Sequence, residues 1–190
     1  MTNRSNQHDV LRPSRRAFLK QLAACACAAA APAGIAHALP ADSRSLSFLH
    51  THTGESLIVN YCCGGVYQEA ALAQVNHFLR DFRNGDVHPI DPKLLDILYA
   101  LQLQADREGR FEVISGYRSP ATNAALHERS SGVATHSLHL EGRAIDIRMT
   151  GFPTARLHDL AMRLQGGGVG FYPASDFLHV DTGHVRFWQG

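Results

Sequence analysis

Three residues in the C-terminal third of the chain have the chemistry of metal ligands. His139 and Asp146 stand seven positions apart within Ser137 to Asp146 (S-L-H-L-E-G-R-A-I-D), and His179 follows in the run F-L-H-V-D. Imidazole nitrogens and carboxylate oxygens are ordinary zinc ligands, and a catalytic zinc takes three protein ligands and keeps a fourth position for water or substrate. Such an ion polarises a carbonyl and lowers the pKa of water to about 7, which is the chemistry of a hydrolase. A nearby carboxylate can then pass the proton of water to a leaving amine. Strand alternation puts Asp181 on the same face as His179, two residues on. It suits that task, and it equally suits holding the second ring nitrogen of His179.

Other side chains near these three carry weaker signals. Arg118 follows Gly116 and Tyr117 at a strand-to-helix junction. Its planar guanidinium fits a substrate carboxylate, a developing oxyanion or a structural ion pair. Ser137 either hydrogen-bonds substrate or shapes the turn ahead of His139. His136 and His184 read as rim residues, and Trp188 as core or groove wall. His50, His52, His77, His88, His127 and His158 are scattered, with no spacing that asks for a metal.

The elements that must position these residues are legible in outline. Residues 46–51 and 55–61 alternate about His52-Thr53-Gly54, a hairpin by pattern and turn chemistry, broken at Gly64-Gly65. From Gln68 the apolar residues take helical spacing, with Ala71, Leu72, Val75, Phe78, Leu79 and Phe82 on one face and Asn84-Gly85 as the stop. Asp91-Pro92 is an N-cap followed by proline at the first helical position, and Leu94, Leu95, Leu98, Leu101 and Leu103 form that helix's apolar face. Residues 111–115 read as a strand leading to Arg118, and Ser119-Pro120 starts a helix through His127 and Glu128. A polar loop, 130–138, is expected over the site. Residues 143–149 form the strand carrying Asp146, 154–164 a helix stopped by Gly166-Gly167-Gly168, and 169–172, 177–181 and 185–188 three short strands. The sum is α+β: helices packed on a small, mostly antiparallel sheet whose strands present the ligands.

The first 38 residues stand apart from this pattern. They read Ser14-Arg15-Arg16-Ala17-Phe18-Leu19-Lys20, then an alanine-rich apolar run from Leu22 to Ile35, then Ala36-His37-Ala38 as a small-x-small cleavage site. Twin arginines ahead of a short apolar run are the address of the bacterial twin-arginine export route, which places the mature chain, 39–190, in the periplasm. The run is shorter than the roughly 20 apolar residues of a spanning helix, so no membrane anchor is expected once the leader is removed. The leader takes with it Arg4, Arg12, Arg15, Arg16, Lys20 and Asp9, of 18 basic and 17 acidic residues in all, which turns a formal charge of +1 into −3. No basic patch argues for nucleic acid. The chain is 45% apolar over 190 residues, enough for one buried core. Cys62 and Cys63 are adjacent and pair only in a strained ring, so they read as small residues at a strand end.

The pattern S-x-H-x-x-G-x-A-x-D at Ser137 to Asp146, with a distal H-x-D at His179 to Asp181, resembles the D-Ala-D-Ala-type zinc peptidases, the superfamily that includes the hedgehog signalling domain. The likeness is most specific to the exported murein endopeptidases of the MepK type. It rests on the twin-arginine leader, His52-Thr-Gly-Glu, Ile114-Ser-Gly-Tyr-Arg-Ser, Gly167-Gly-Val-Gly-Phe-Tyr-Pro and His179-Val-Asp-Thr-Gly, in order across nearly the whole mature chain. The resemblance implies a hedgehog-like peptidase fold and zinc held by His139, Asp146 and His179. It also implies a peptidoglycan cross-link as substrate, cut at a bond involving meso-diaminopimelate or D-alanine, and Arg118 beside the substrate stabilising the oxyanion. In several relatives an acid three residues before the third ligand is the general base. Asp176 occupies that position, so Asp176 and Asp181 compete for the role. Two alternatives stay open: a D,D-carboxypeptidase or dipeptidase that trims free stem peptides, and an inactive zinc-containing wall-binding module.

Overall fold

The computed structural model describes residues 43–106, 109–129, 134 and 136–190. The leader expected over 1–38 and most of the loop expected over 130–138 lie outside the described residues. The hairpin is β1 (Arg44–His50) and β2 (Ser56–Cys63), and the Gly64-Gly65 turn adds a two-residue β3 (Val66–Tyr67). Two helices follow, α1 (Glu69–Phe78) and α2 (Pro92–Gln104), then β4 (Arg110–Ser115), α3 (Pro120–Arg129) and a 3-10 turn (Leu138–Glu141). The chain closes with β5 (Ala144–Met149), α4 (Thr154–Leu164), β6 (Gly168–Tyr172), a second 3-10 turn (Pro173–Ser175), β7 (Phe177–Asp181) and β8 (Arg186–Gln189).

All eight strands join one sheet in the order β3-β2-β1-β4-β5-β7-β6-β8. The α+β class holds, but the sheet is larger than expected and mixed. β1 pairs with β4, and β6 with β8, in parallel. A parallel neighbour cannot be reached by a tight turn and needs a crossover of a dozen or more residues. The β1-to-β4 connection supplies one by running through β2, β3, α1 and α2.

One sheet face is sealed by helices. Phe48, Phe111, Val113, Ile145, Ile147, Leu178 and Val180 on the strands pack with Val75 and Phe78 of α1, Leu94, Leu95, Leu98 and Leu101 of α2, and Leu157 of α4. The alternate residues of the central strands therefore point to the other face. On β5 and β7 these are Ala144, Asp146, Arg148, Phe177, His179 and Asp181, which include the residues that matter for chemistry.

Two helical expectations are corrected. Asn84-Gly85 does not end α1; the helix stops at Phe78, and Phe82 lies beyond it. The cause is Asp81, fully buried, whose carboxylate accepts from the backbone N–H of Arg83 and of Ser119 at 3.1 and 3.0 Å. An Asp side chain that satisfies nearby N–H groups competes with the helical ladder. Leu103 is 61% exposed rather than part of the α2 face. The start of α2 is as read, with the Asp91 carboxylate accepting from Lys93 N at 3.0 Å and proline in the first turn.

Candidate metal centre

The site is built from three adjoining pieces of the open sheet face. Asp146 and His179 are direct cross-strand partners in the antiparallel β5–β7 pair, so sheet register alone sets their side chains next to each other. His139 comes from the 3-10 turn, which Ser137 caps by accepting from His139 N at 3.3 Å. Gly142 ends that turn with φ +64°, and a Cβ there would run into the Pro89 carbonyl oxygen. The motif glycine is thus fixed by backbone geometry. Its carbonyl accepts from Asp91 N at 2.9 Å, and Asp91 also accepts from Thr182 Oγ1 at 2.8 Å, so the start of α2 ties the His139 turn to the end of β7.

A β-bulge supplies the fourth wall. The β4–β5 register shifts between Val113 and Ser115, which sets Ser115 opposite Asp146. Bulges re-aim the residues that follow them. Here the Gly116 carbonyl accepts from His139 Nδ1 at 2.7 Å, and Arg118 N donates to the His139 carbonyl at 3.1 Å.

These bonds decide which nitrogens face inward. With Nδ1 of His139 occupied, its Nε2 lies 3.3 Å from Asp146 Oδ1 and 3.2 Å from His179 Nδ1. With Nε2 of His179 donating to Asp181 Oδ2 at 3.1 Å, its Nδ1 lies 2.9 Å from Asp146 Oδ1. All three residues are at least nine-tenths buried, and one donor atom from each lies within 4.8 Å of the others. Two imidazole nitrogens and one carboxylate oxygen, each aimed by a second hydrogen bond or a strand pairing, fit a divalent zinc-type ion.

The charges agree with that fit. Burial opposes ionisation of Asp146, but His139 and His179 outweigh it and hold the carboxyl well below its ordinary range. Burial also opposes protonation of His179, yet the carboxylates of Asp146 and Asp181 raise it to about 9. A metal ion bound here would compete with a proton for Nδ1 of His179.

Neither acid expected to act as general base stands free in the cleft. Asp181 is fully buried and saturated: besides His179 it accepts from Gly168 N, Gly183 N and both terminal nitrogens of Arg186, at 2.6–3.1 Å. Burial would raise its carboxyl, but His179 and Arg186 hold it well below the ordinary range. Asp176 points elsewhere. Its Oδ1 accepts from Thr154 Oγ1 at 2.7 Å and its Oδ2 lies 3.7 Å from Arg148. Among the described residues that line the cleft over the metal triangle, a space of about 560 Å³, Asp146 is the one carboxylate.

Arg118 and Ser137 do line that cleft, as do His136 and Trp188. The Arg118 guanidinium is 12% exposed, sits 4.0 Å from Asp146 Oδ2, and leaves Nε buried with no hydrogen-bond partner. His184 does not line the cleft; its carbonyl accepts from Arg186. Cys62 and Cys63 are free thiols far from the triangle in the sheet, at the end of β2. Two residues escaped the sequence reading. Arg186 lies two positions before Trp188 on β8, an alternation that marks a shared face, and it grips Asp181. Asp81, hidden in a run that looked helical, pins Ser119 and so the segment carrying Arg118.

Fold and site together define an α+β domain with a buried His–His–Asp donor triangle beneath a cleft, and the comparisons with known proteins give its family. The family described as peptidoglycan L,D-endopeptidase MepK matches residues 38–188. A probable peptidoglycan L,D-endopeptidase MepK of Haemophilus influenzae is 42% identical over 148 residues, covering 77% of this chain and 80% of that protein. The peptidoglycan L,D-endopeptidase MepK of Escherichia coli K12 is 42% identical over 145 residues, covering 76% and 80%. No solved structure matches the chain. The chain belongs to the MepK family of peptidoglycan L,D-endopeptidases.

Proposed function

We propose that this chain is a zinc-dependent endopeptidase that hydrolyses peptide cross-links in peptidoglycan, working in the periplasm after export by the twin-arginine route. The observation that carries the reading is the buried triangle of His139, Asp146 and His179 beneath a cleft, in a chain of this family. The names of its relatives favour a bond from an L-centre carbonyl to a D-centre amine, which in a cross-link joins two meso-diaminopimelate residues. Export is supported by the leader and by the family match beginning at residue 38, where the leader reading ends. No helix among the described residues is long and apolar enough to cross a membrane.

Zinc at this site supplies a Lewis acid for the scissile carbonyl and a lowered pKa for water. The chain's own residues hold and aim. His139 offers Nε2 and His179 offers Nδ1 because Gly116 and Asp181 occupy the opposite nitrogens. Asp181 thus works as the positioning partner of His179, since each of its oxygens is already committed. Arg118, whose Nη2 lies 4.0 Å from Asp146 Oδ2 and whose Nε is unpartnered, takes the negative charge that develops on the substrate oxygen. Ser137 shapes the His139 turn through its oxygen and keeps its hydroxyl hydrogen for substrate.

Digestion of purified peptidoglycan with products identified by mass tests the reading. Conversion of cross-linked dimers to monomers, stopped by a chelator and absent in His139→Ala, is expected. Trimmed monomers beside intact dimers would make it a carboxypeptidase. Intact dimers with a folded, metal-loaded protein would make it a wall-binding module.

A further inference from the structure

The turn of Asp176 away from the metal leaves a side chain with no task, and its neighbours give it one. Arg148 is the next residue after Asp146 on the same face of β5, about 6.6 Å further along the strand. Its Nε donates to Glu112 Oε2 at 2.7 Å, and Glu112 accepts also from Thr150 Oγ1 at 2.8 Å, so the guanidinium is anchored from behind. The hydrogen bond from Arg148 keeps Glu112 below its ordinary range, although burial opposes this. The terminal nitrogens of Arg148 make no hydrogen bond among the described residues. Asp176 is likewise anchored by one oxygen, on Thr154, and offers the other.

The two groups face each other as a loose ion pair at 3.7 Å, too far for a hydrogen bond, with side chains 38% and 64% exposed. They line a concavity of about 470 Å³ with Glu112, Pro153 and Thr154. It adjoins the metal cleft, because Ser175 lines one and Asp176 the other. A half-open pair of opposite charges, each fixed from behind, is complementary to a carbon that bears both an ammonium and a carboxylate. We propose that Arg148 and Asp176 bind the free zwitterionic amino-acid centre of the diaminopimelate residue that donates the scissile carbonyl, Arg148 taking its carboxylate and Asp176 its ammonium.

The chemistry of that residue fits the spacing. Its two amino-acid centres are joined by three methylenes, so the distal α-carbon lies five C–C bonds from the scissile carbonyl carbon, about 6 Å when extended. That is close to the step from Asp146 to Arg148. A residue whose side chain ends without both charges would leave Arg148 and Asp176 desolvated and half-paired, which costs affinity. The inference rests on the endopeptidase reading above and adds to it the basis for choosing the carbonyl donor.

Steady-state kinetics on purified dimeric muropeptides cross-linked through a diaminopimelate carbonyl test it. The substrates are the native dimer and dimers whose free distal amine is acetylated or whose free distal carboxylate is amidated. Arg148→Met and Asp176→Asn are expected to raise KM about 10-fold with kcat within 3-fold of wild type, and with metal content and Tm unchanged. Asp176→Asn should lose little more on the acetylated dimer, and Arg148→Met little more on the amidated one, since each pair removes the same contact. Unchanged KM in both variants, or losses that multiply when variant and modified dimer are combined, would overturn the proposal while leaving the endopeptidase standing. A large fall in kcat for Asp176→Asn at unchanged KM would overturn it in favour of proton transfer. Wild-type protein that leaves the native dimer intact would overturn both readings together.

Discussion

At the residue scale, the site turns on which nitrogen of each histidine is free. Asp181 holds Nε2 of His179, and Arg186 holds Asp181 through both carboxylate oxygens while its guanidinium lies 4.9 Å from the Trp188 ring. Removing Arg186 would leave a buried carboxylate short of two charge-assisted hydrogen bonds and free to rotate, and His179 would lose its fixed orientation. Arg186→Met is expected to weaken zinc binding about 10-fold, and Asp181→Asn up to about 100-fold, by the usual effect of such partners on metal affinity. Competition with a chromophoric chelator measures this without reference to activity. Wild-type affinity in both variants would show that His179 needs no help. The candidate donor set of His139, Asp146 and His179 was legible because residue type and spacing suffice to pick out donors, and the folded chain brings the three together. The direction of Asp176 was not, because a side chain's direction at a turn with φ +50° depends on what Thr154 and Arg148 offer it.

At the element scale, the site depends on three backbone devices: the β5–β7 register, the bulge after Val113, and the 3-10 turn closed by Gly142. Gly142→Ala would place a Cβ at positive φ and against the Pro89 carbonyl. The conformational part alone costs about 1–2 kcal/mol, and relief of the clash would move the turn that carries His139. A fall in denaturation midpoint together with weaker metal binding is expected from urea unfolding and chelator competition, and stability and affinity both at wild-type level would contradict it. The strands and helices around these devices follow from alternation, caps and glycine stops, and α4 and β7 fall on the residues read for them. The early end of α1 and the parallel pairings do not follow from such local signals. The first needs the Ser119 N–H, 38 residues from Asp81, and the second is a property of how strands from distant segments meet.

At the scale of the whole molecule, the sheet separates two tasks: helices seal one face into the core and the other face carries the charges. A histidine is caught on the wrong side of that division. His50 closes β1 fully buried, packed edge-on to Phe78 and Phe82, with its Nε2 unpartnered. Burial lowers it to about 4, helped by His52 and Arg80 and opposed by Glu55. The folded chain therefore keeps His50 neutral where the unfolded chain, near 6.5, takes up a proton. Stability should then be level above about pH 6.5 and fall as the pH drops towards 4, by up to about 3 kcal/mol for the full shift. Asp146 and His179 are shifted as well, so the measurement that isolates His50 is a comparison. Wild type and His50→Leu are unfolded in urea at pH 7.5 and at pH 4.5, both with chelator present. The contribution of the metal site cancels in the difference between the two proteins. His50→Leu should lose markedly less stability than wild type between the two pH values, whatever its offset at pH 7.5. Equal losses would mean that the ring is protonated in the folded chain and finds a partner for Nε2 when it is.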